Sequence, residues 1–596
     1  MFKSKIYGLR DILLIPIAIH PALSVSYFLV TFIQSLFSTV MIVYATSYFI
    51  ETATKVLNTE LAVEVIYTSL AYLLGIFAGG NLLEHLLNLL EVRIKISLET
   101  RLEPYLLERR SSLHYRYIED ADTWDLVERL TEDMVVNLLD GNKAFAIIFR
   151  NVAALLSILL FLLSQVWWAA LMIAILSIPL FWFSMKIGTK NYDAWIEAWP
   201  YERRYSYYSD DILTSREATQ ERSLFNYTDY VVEEYKKHFE NARKIQQQNY
   251  LKSRIATTST GLLMTILAFF ILVFLINKIQ HDFLNSGTYI GITTSVFTLA
   301  ATVGGSLQDS MKRISYAKNC MDDLNSFLQL ELQEGALTVP DKDVPVFETL
   351  AFQNVYFKYP HANNYTLKNL SFQLEAGKHY AFVGRNGSGK TTIIKLILRL
   401  YDQYEGTILL NGKNLKSYPL STLKSMFSVV FQDFAKYQIS IEDNILLGNV
   451  PISVKTRDVE HVVKRVGFES DLKVLPKGLE THVGKLSPDG IDLSGGQWQK
   501  IAMARSFISS APIKILDEPT AALDPLVESR IYQDFETMTS GKTTIFISHR
   551  LGSTKIADEI LVIDGGSIFE RGSHKELMEL KGLYNEMFES QRRWYE

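Results

Sequence analysis

The 596-residue sequence predicts a membrane α-helical domain of six transmembrane helices with long cytoplasmic extensions, fused to an α/β P-loop domain. The length is about four times the ~150 residues of a typical domain. Up to about residue 310 the chain contains long runs without Asp, Glu, Lys or Arg, and a glycine-rich phosphate-binding motif follows in the second half. We therefore expect a transmembrane domain over 1–320, a linker over 321–348 and a nucleotide-binding domain over 349–587.

The composition excludes several classes of protein. The chain has 60 Lys+Arg against 65 Asp+Glu, a net charge of -5 and a sequence pI near 6.2. This balance provides no broad basic surface, so no nucleic-acid partner is expected. The single cysteine, Cys320, excludes an internal disulfide and any multi-cysteine metal site.

The uncharged runs are long enough for six membrane crossings, since ~30 Å of hydrocarbon takes ~20 apolar helical residues. The expected spans cover about 22–47, 65–84, 144–164, 166–186, 255–277 and 286–308. A short helix in the membrane plane is expected before Pro21. Five such runs in some 300 residues leave little room for the alternative, the buried helices of a large soluble core.

Positive charge sets the orientation of these spans. The loops over 91–143 and 186–254 contain 8 and 12 Lys+Arg, whereas the opposite side has only Lys55 and Lys278. Because Lys and Arg concentrate in cytoplasmic loops, both long loops and both chain ends are expected in the cytoplasm. The protein is therefore predicted to be a multi-pass protein of the cell membrane, surrounded by lipid.

A phosphate-binding loop follows a strand-like stretch, AFV, and precedes a helical pattern. Glycines let backbone N–H groups fold around phosphates, and the helix N-terminus adds positive potential. Lys390 would reach the β- and γ-phosphates of ATP, and Thr391 would offer its hydroxyl to Mg²⁺. The nine residues of the loop are Gly384, Arg385, Asn386, Gly387, Ser388, Gly389, Lys390, Thr391 and Thr392.

Two adjacent carboxylates end a second buried-strand pattern, IKILDE, at Asp517 and Glu518. Adjacent residues of a strand point to opposite sides, so the two groups can divide roles. Asp517 would hold the Mg²⁺ shell, while Glu518 would act as general base on the attacking water. Taken alone, the pattern is also that of an ordinary solvated strand end.

Further motifs accompany these two in a fixed order and identify a family. They are Tyr359 in FKYP, Gln432 in VVFQDF, LSGGQ at 493–497, AALD at 521–524 and His549 in IFISHR. The set resembles the ATP-binding cassette (ABC) ATPases over about 349–587. Behind six spans, it makes the chain resemble a half-size ABC exporter, an ATPase that couples hydrolysis to export.

The resemblance implies roles for residues around the nucleotide of the same chain. Tyr359 would stack on the adenine, and His549 would contact the γ-phosphate as a second catalytic residue beside Glu518. Gln432 would touch Mg²⁺ together with Thr391 and Asp517, and would link the site to the membrane domain.

The resemblance also implies a second subunit. Ser494, Gly495 and Gln497 would close over ATP held by the other subunit, and Asp524 would bridge the two sites. One chain carries one cassette, so two chains are needed for two composite sites. Both halves of the site are intact in this sequence, which predicts a homodimer.

A closer likeness concerns the cargo. FQDFAKYQISIEDNI, LSGGQWQKIAMAR and DEPTAALDP resemble the nisin-type lanthipeptide exporters, which pump modified antimicrobial peptides. The loop before LSGGQ is longer than in many exporters and has Lys485 where Glu is usual, a departure shared with the lanthipeptide group. With about 20 residues before the first span, and its only cysteine behind the last, the chain is not expected to cleave a leader peptide.

Peptide export is thus the leading functional hypothesis. One alternative keeps the pump and changes its cargo to lipid or a lipophilic drug, and a less favoured one is a nucleotide-gated channel or sensor. Two charged segments, 113–125 and 214–226, resemble the coupling segments that dock on the cassettes in these exporters. Tyr27, Gln34 and Tyr44 of the first span are candidates for lining a cargo cavity.

Overall fold

A computed structural model describes residues 5–165, 197–215, 218–280, 286–301, 307–449, 456–518, 541–548 and 551–593, with a few single positions between 167 and 195. The chain divides into two compact units. A helical unit comprises Met1–Arg110 and Asp125–Leu330. An α/β unit comprises Ser111–Trp124 and Glu331–Glu596, so one short N-terminal segment belongs to it.

The described part of the helical unit is helical, and three of its helices have more than 40 residues. Their bounds are Asp11–Ile19, Pro21–Leu57, Glu64–Ser111, Ala121–Gln165, Thr219–Phe225, Thr228–Gln280, Ser286–Ala301 and Leu307–Gln329. A helix through 197–206 continues as π-helical turns over Tyr207–Leu213. Pro21 begins its helix at a position where a missing N–H costs nothing, and the short helix expected before it is present.

Two helices of the described residues are long and apolar enough to cross a membrane: Pro21–Leu57 and Glu64–Ser111. They contain the first two expected spans. The fourth expected span, 166–186, lies almost entirely outside the described residues. The count of six spans therefore stays a prediction.

The long helices extend well beyond the apolar runs that begin or end them. Glu64–Ser111 has 48 residues, and at ~1.5 Å per residue it is about 70 Å long, more than twice the ~30 Å of hydrocarbon. Beyond the apolar runs, charged pairs join neighbouring helices: the Lys143 amine lies 2.5 Å from Glu91, and Arg313 lies 2.9 Å from Asp140.

The candidate cavity residues of the first helix differ in exposure. Tyr27 is 7% and Gln34 6% exposed, packed among the helices of one chain, whereas Tyr44 is 53% exposed. Of the three, only Tyr44 therefore presents its side chain at the surface of the helical unit.

The α/β unit contains two sheets. Its strands are β1 (Thr349–Phe357), β2 (Leu367–Glu375), β3 (His379–Val383), β4 (Glu405–Leu410), β5 (Lys413–Asn414), β6 (Phe427–Val430), β7 (Ile513–Asp517), β8 (Thr543–Ile547), β9 (Glu559–Asp564) and β10 (Ser567–Gly572). An antiparallel sheet has the order β2-β1-β4-β5. The second sheet has the order β10-β9-β3-β8-β7-β6 and is parallel except for β10.

Helices cover the sheets and form a subdomain of their own. Their bounds are Tyr115–Glu119, Lys390–Ile397, Leu420–Met426, Ile441–Leu446, Thr456–Arg465, Glu469–Val474, Gly495–Phe507, His574–Leu580 and Leu583–Arg592. One core lies between the sheets around Phe352, Phe372 and Phe382, and a separate cluster around Val459 and Trp498 holds the helical subdomain together.

The topology brings three strand ends to one edge. β3, β7 and β8 are parallel neighbours, and β3 and β7 are almost fully buried, as the buried-strand patterns predict. Ligands of open parallel sheets bind outside the carboxyl ends of the strands. The phosphate loop follows β3 and the two carboxylates end β7, so both motifs meet at this edge.

Candidate nucleotide-binding and hydrolysis site

The phosphate loop folds tightly between β3 and the helix Lys390–Ile397. Gly389 caps that helix with φ +103°, a conformation that residues with a Cβ rarely adopt. A Cβ on Gly384 would lie 2.1 Å from the carbonyl oxygen of Ile563, so no larger residue fits there. These glycines explain why the loop can wrap closely around a ligand.

The Lys390 amine is the buried cation of this loop. It is 6% exposed and donates to the carbonyl oxygens of Gly384 (2.9 Å) and Arg385 (3.0 Å). Burial lowers the pKa of Lys390, and the carboxylates of Glu518 and Asp517 act in the opposite direction. The amine is thus held at the loop, where it can contact an anionic phosphate.

A cavity of about 650 Å³ lies over the loop and collects most of the sequence-predicted residues. Tyr359, Gln432 and Glu518 line it together with the stretch from Asn386 to Thr392. Glycine-rich backbone and a lysine fill one side, and an aromatic ring and a carboxylate lie on the others. Shape and charge suit a nucleoside triphosphate.

Asp517 is almost completely buried at 1% exposure, and neither of its carboxylate oxygens has a hydrogen bond within the described residues. Burial raises the pKa of Asp517 to about 6, against the opposing effect of the Thr391 hydroxyl. A buried carboxylate without partners is costly unless a cation compensates it. A carboxylate and a hydroxyl are oxygen ligands of the kind Mg²⁺ takes, so Asp517 and Thr391 fit a magnesium site.

Glu518 occupies the cavity side of the same strand end. Its carboxylate accepts a hydrogen bond from the Gln432 amide nitrogen (3.1 Å), and its backbone N–H donates to Ile547 of β8 (3.1 Å). Its φ of +50° is unusual for a residue with a side chain and is of the kind that clusters at functional sites. This turn directs the carboxylate into the cavity while Asp517 stays buried.

Tyr359 forms the aromatic wall. Its hydroxyl lies 3.0 Å from the Thr392 hydroxyl, and its ring packs edge-on against Phe357 and Tyr401 at centroid distances of 5.1 and 5.5 Å. The Lys395 amine lies 5.5 Å from the centre of the same ring. The ring is therefore fixed on several sides and presents a rigid face.

Sequence reasoning missed the residues that support this wall, above all Glu119. Glu119 belongs to the N-terminal segment that is part of the α/β unit. One of its oxygens accepts from the Lys395 amine (2.5 Å) and the other from the Tyr401 hydroxyl. Burial would raise the pKa of Glu119, but these hydrogen bonds outweigh it and lower the pKa. In the sequence, the only signal for Glu119 was its position in the segment 113–125, which resembles a coupling segment.

The LSGGQ residues do not line this cavity; they form the start of the helix Gly495–Phe507, named here the signature helix. Ser494 is its N-cap: the Ser494 hydroxyl accepts from the Gln497 N–H, and the Gln497 side-chain oxygen accepts from the Ser494 N–H (2.9 Å). Ser494 and Gly495 are exposed. Their separation from the phosphate loop of the same chain is what a role at another subunit's site requires.

Two predicted site residues, Asp524 and His549, lie outside the described residues. The remaining predicted residues fall into two groups: those of the phosphate loop and its cavity, with Asp517 behind them, and those of the signature helix. The chain combines long apolar helices with a cavity over a parallel sheet whose lining suits a nucleoside triphosphate. This combination defines a class: membrane proteins driven by nucleotide hydrolysis.

Comparisons with known proteins narrow this class. The family described as ABC transporter matches residues 367–521. The subtilin transport ATP-binding protein SpaT of Bacillus subtilis is 31% identical over 538 residues, 89% of this chain and 86% of the relative. The nisin transport ATP-binding protein NisT of Lactococcus lactis subsp. lactis is 28% identical over 86% of this chain and 85% of the relative.

Two further similarities complete the comparison. An ATP-dependent lipid A-core flippase of Photobacterium profundum is 28% identical over 79% of each chain. The structure of a bacterial Atm1-family ABC exporter with ATP bound shares the fold, with a TM-score of 0.75 and 22% identity over 96% of this chain and 99% of the other.

The chain belongs to the ABC transporter family and is a half-size exporter. It is an ATP-hydrolysing transporter of the membrane with a cytoplasmic nucleotide-binding domain, as the sequence motifs predicted.

Proposed function

We propose that this protein exports a modified antimicrobial peptide across the cytoplasmic membrane, driven by ATP hydrolysis in a homodimer. The assignment of the cargo rests on the match, over most of the chain, to transport proteins named for subtilin and nisin. A similarity spanning both units supports a shared cargo class more strongly than a similarity of the ATPase alone.

In this proposal ATP binds in the cavity over the phosphate loop. The Tyr359 face stacks on the base, and the backbone of the stretch from Gly384 to Thr392 with the Lys390 amine binds the phosphates. Thr391, Asp517 and Gln432 would hold Mg²⁺, which supplies charge neutralisation for the leaving phosphate. Within the described residues the buried carboxylate of Asp517 has no hydrogen-bond partner, which supports this assignment.

Hydrolysis then depends on Glu518. Its carboxylate lies in the cavity and, as general base, takes a proton from the water that attacks the γ-phosphate. The Gln432 amide, 3.1 Å away, donates a hydrogen bond to that carboxylate and so helps to fix its position in the cavity. His549 is assigned to the γ-phosphate from its motif.

The second half of the site comes from the other subunit. Ser494 and Gly495 are exposed at the N-terminus of a 13-residue helix, whose backbone dipole favours an anion. We assign them, with Gln497 and Asp524, to the ATP held by the second copy. A homodimer of two six-span membrane domains, with domain limits near 320 and 349, would then contain two composite sites.

The link between cassette and membrane domain is the segment Ser111–Trp124. The residues before and after it along the chain belong to the helical unit, but the segment itself belongs to the α/β unit. Its contacts there include those of Glu119 and the His361–Asp120 pair (2.9 Å). We assign it the coupling role that its sequence suggests, with 214–226 as the second coupling segment. Closure of two cassettes on ATP would then move the long helices and release cargo outward.

Transport into inside-out vesicles tests the proposal. A labelled lanthipeptide precursor should accumulate only with hydrolysable ATP and only with wild-type Glu518, the matched control being Glu518→Gln. The flippase relative supports lipid as the second candidate. Movement of phospholipid or dye under these conditions, with neither uptake of peptide nor stimulation of ATPase by it, would assign the pump to lipid or drug.

A further inference from the structure

Asp471 connects to the signature helix in a way that no motif indicates. It lies on the short helix Glu469–Val474 of the helical subdomain. One carboxylate oxygen accepts a hydrogen bond from the Gln497 side-chain nitrogen (3.0 Å), and the other accepts from the Lys500 amine (2.9 Å). Gln497 and Lys500 are three residues apart and so lie on one face of the signature helix.

The Gln497 side chain is engaged at both ends inside its own subunit. Its nitrogen donates to Asp471, while its oxygen accepts from the Ser494 N–H (2.9 Å). The Gln497 backbone N–H in turn donates to the Ser494 hydroxyl oxygen, which leaves the hydroxyl hydrogen of Ser494 to donate elsewhere. Gln497 thus connects the largely buried carboxylate of Asp471 to Ser494, the residue that caps the signature helix.

Asp471 is itself firmly placed. Phe468, which precedes its helix, is 1% exposed in the core of the helical subdomain, and the side chain of Asp471 is only 21% exposed. Lys500, 14% exposed, also donates to the Gly467 carbonyl oxygen (3.0 Å), which fixes the other end of the same turn. Such sheltered hydrogen bonds to an ionised group are among the stronger ones in proteins.

We propose that Asp471 is a positioning residue for the composite ATP site: by holding Gln497, it fixes the direction in which the Ser494 hydroxyl and the signature-helix N-terminus face the ATP of the second copy. This inference rests on the proposed cross-subunit role of Ser494. It gives Gln497 a further part beside its assignment to the ATP of the second copy, because the Gln497 side chain also orients Ser494.

ATPase kinetics of the full-length protein in lipid vesicles test this role. Asp471→Ala should lower kcat roughly tenfold, the effect of losing a hydrogen bond to a charged group, and change the KM for ATP less than about twofold. Asp471→Asn, which keeps an acceptor for Gln497, should stay within about threefold of wild type. Glu469→Ala is the matched control, because it removes an exposed carboxylate from the same helix without touching Gln497.

A charge swap separates positioning from mere stability. Gln497→Glu places a carboxylate against Asp471 and should lower kcat at least as much as Asp471→Ala, since like charges repel at this distance. Adding Asp471→Asn to Gln497→Glu should restore most of the activity, because an amide then faces a carboxylate. Because the same repulsion would also destabilise the fold, turnover is compared only between variants with the melting temperature of wild type, where a role in folding alone predicts no change of kcat. The double variant keeps the test valid even if Asp471→Ala does not fold.

The outcomes are distinguishable from failure of the proposed function. If Ser494→Trp leaves turnover unchanged, the cross-subunit role of Ser494 is wrong and the inference falls with it. If Ser494→Trp abolishes turnover but the charge swap shows no rescue, or Asp471→Ala raises KM at constant kcat, only the role of Asp471 is overturned.

Discussion

Removal of the Glu119 carboxylate tests how the N-terminal segment is held on the α/β unit. Glu119→Ala deletes the two hydrogen bonds that reach the Lys395 amine and the Tyr401 hydroxyl. The Lys395 amine keeps its contacts with the rings of Tyr115 and Tyr359, at 5.4 and 5.5 Å from the centroids. The variant therefore removes a defined part of the attachment and leaves the aromatic packing in place.

The expected loss follows from exposure. The Glu119 side chain is 34% exposed and that of Lys395 18%, so this ion pair is worth about 0.5–1 kcal/mol, near the value for surface pairs. Tyr401 is 5% exposed but the Glu119 carboxylate is partly exposed, so its hydrogen bond to this charged group is worth about 1.5 kcal/mol, the lower end for such bonds. The sum, about 2 kcal/mol, corresponds to roughly a 30-fold change in the opening equilibrium of the segment.

Amide hydrogen exchange measures this opening directly. The protected amides include the N–H of Tyr117, bonded to His114, and that of Trp124, bonded to Asp120. A peptide covering 113–125 should exchange about 30-fold faster in Glu119→Ala under conditions where exchange reports the opening free energy. Peptides from the central sheet should not change.

An exposed ion pair in the same region provides the control. Glu331 pairs with Arg116 at 2.5 Å, but its side chain is 68% exposed. Glu331→Ala should speed exchange of the same peptide about twofold, as expected for a surface pair worth ~0.5 kcal/mol. Equal exchange in wild type and Glu119→Ala, or an equal effect of both variants, would refute the assignment of Glu119 as the main attachment.

Three further predictions concern the site and the core. Glu518→Gln should bind ATP but hydrolyse it roughly 10²–10⁴ times more slowly and accumulate as an ATP-bound dimer on size exclusion; near wild-type turnover would remove the general-base role. Gly384→Ala should abolish ATP binding measured by equilibrium dialysis, because the new methyl would lie 2.1 Å from the Ile563 carbonyl oxygen. Gly377→Ala, which has open space and φ +76°, should cost only about 1 kcal/mol and preserve binding. Burial lowers the pKa of Lys514 well below 10.5, so unfolding takes up a proton and the melting temperature should rise with pH up to 10.5. Lys514→Met should make this rise shallower, the remainder being due to other buried amines such as Lys390.

The local elements of the candidate nucleotide site could be predicted because the residues of each motif are neighbours along the chain. Gly384 to Thr392 form one continuous loop, and Asp517 and Glu518 are neighbours at the end of a buried strand. Local patterns of this kind depend on the strand and helix that flank them, and both were recognisable from periodicity. Long uncharged runs predicted a membrane domain for the same reason, since ~20 consecutive apolar residues have few other uses.

Other features depend on contacts between distant parts of the chain. Glu119 meets Lys395 across 276 positions, and Gln497 meets Asp471 across 26, so neither pair leaves a local signature. The burial of Asp517, which has no hydrogen-bond partner in the part of the chain that the structure describes, likewise arises from neighbouring strands. The sequence by itself predicted which residues would carry the ATP chemistry, and it determined that the chain enters a membrane. Only the tertiary structure decided which side chains hold those residues in place, because hydrogen bonding and desolvation are set by spatial neighbours and not by neighbours along the chain.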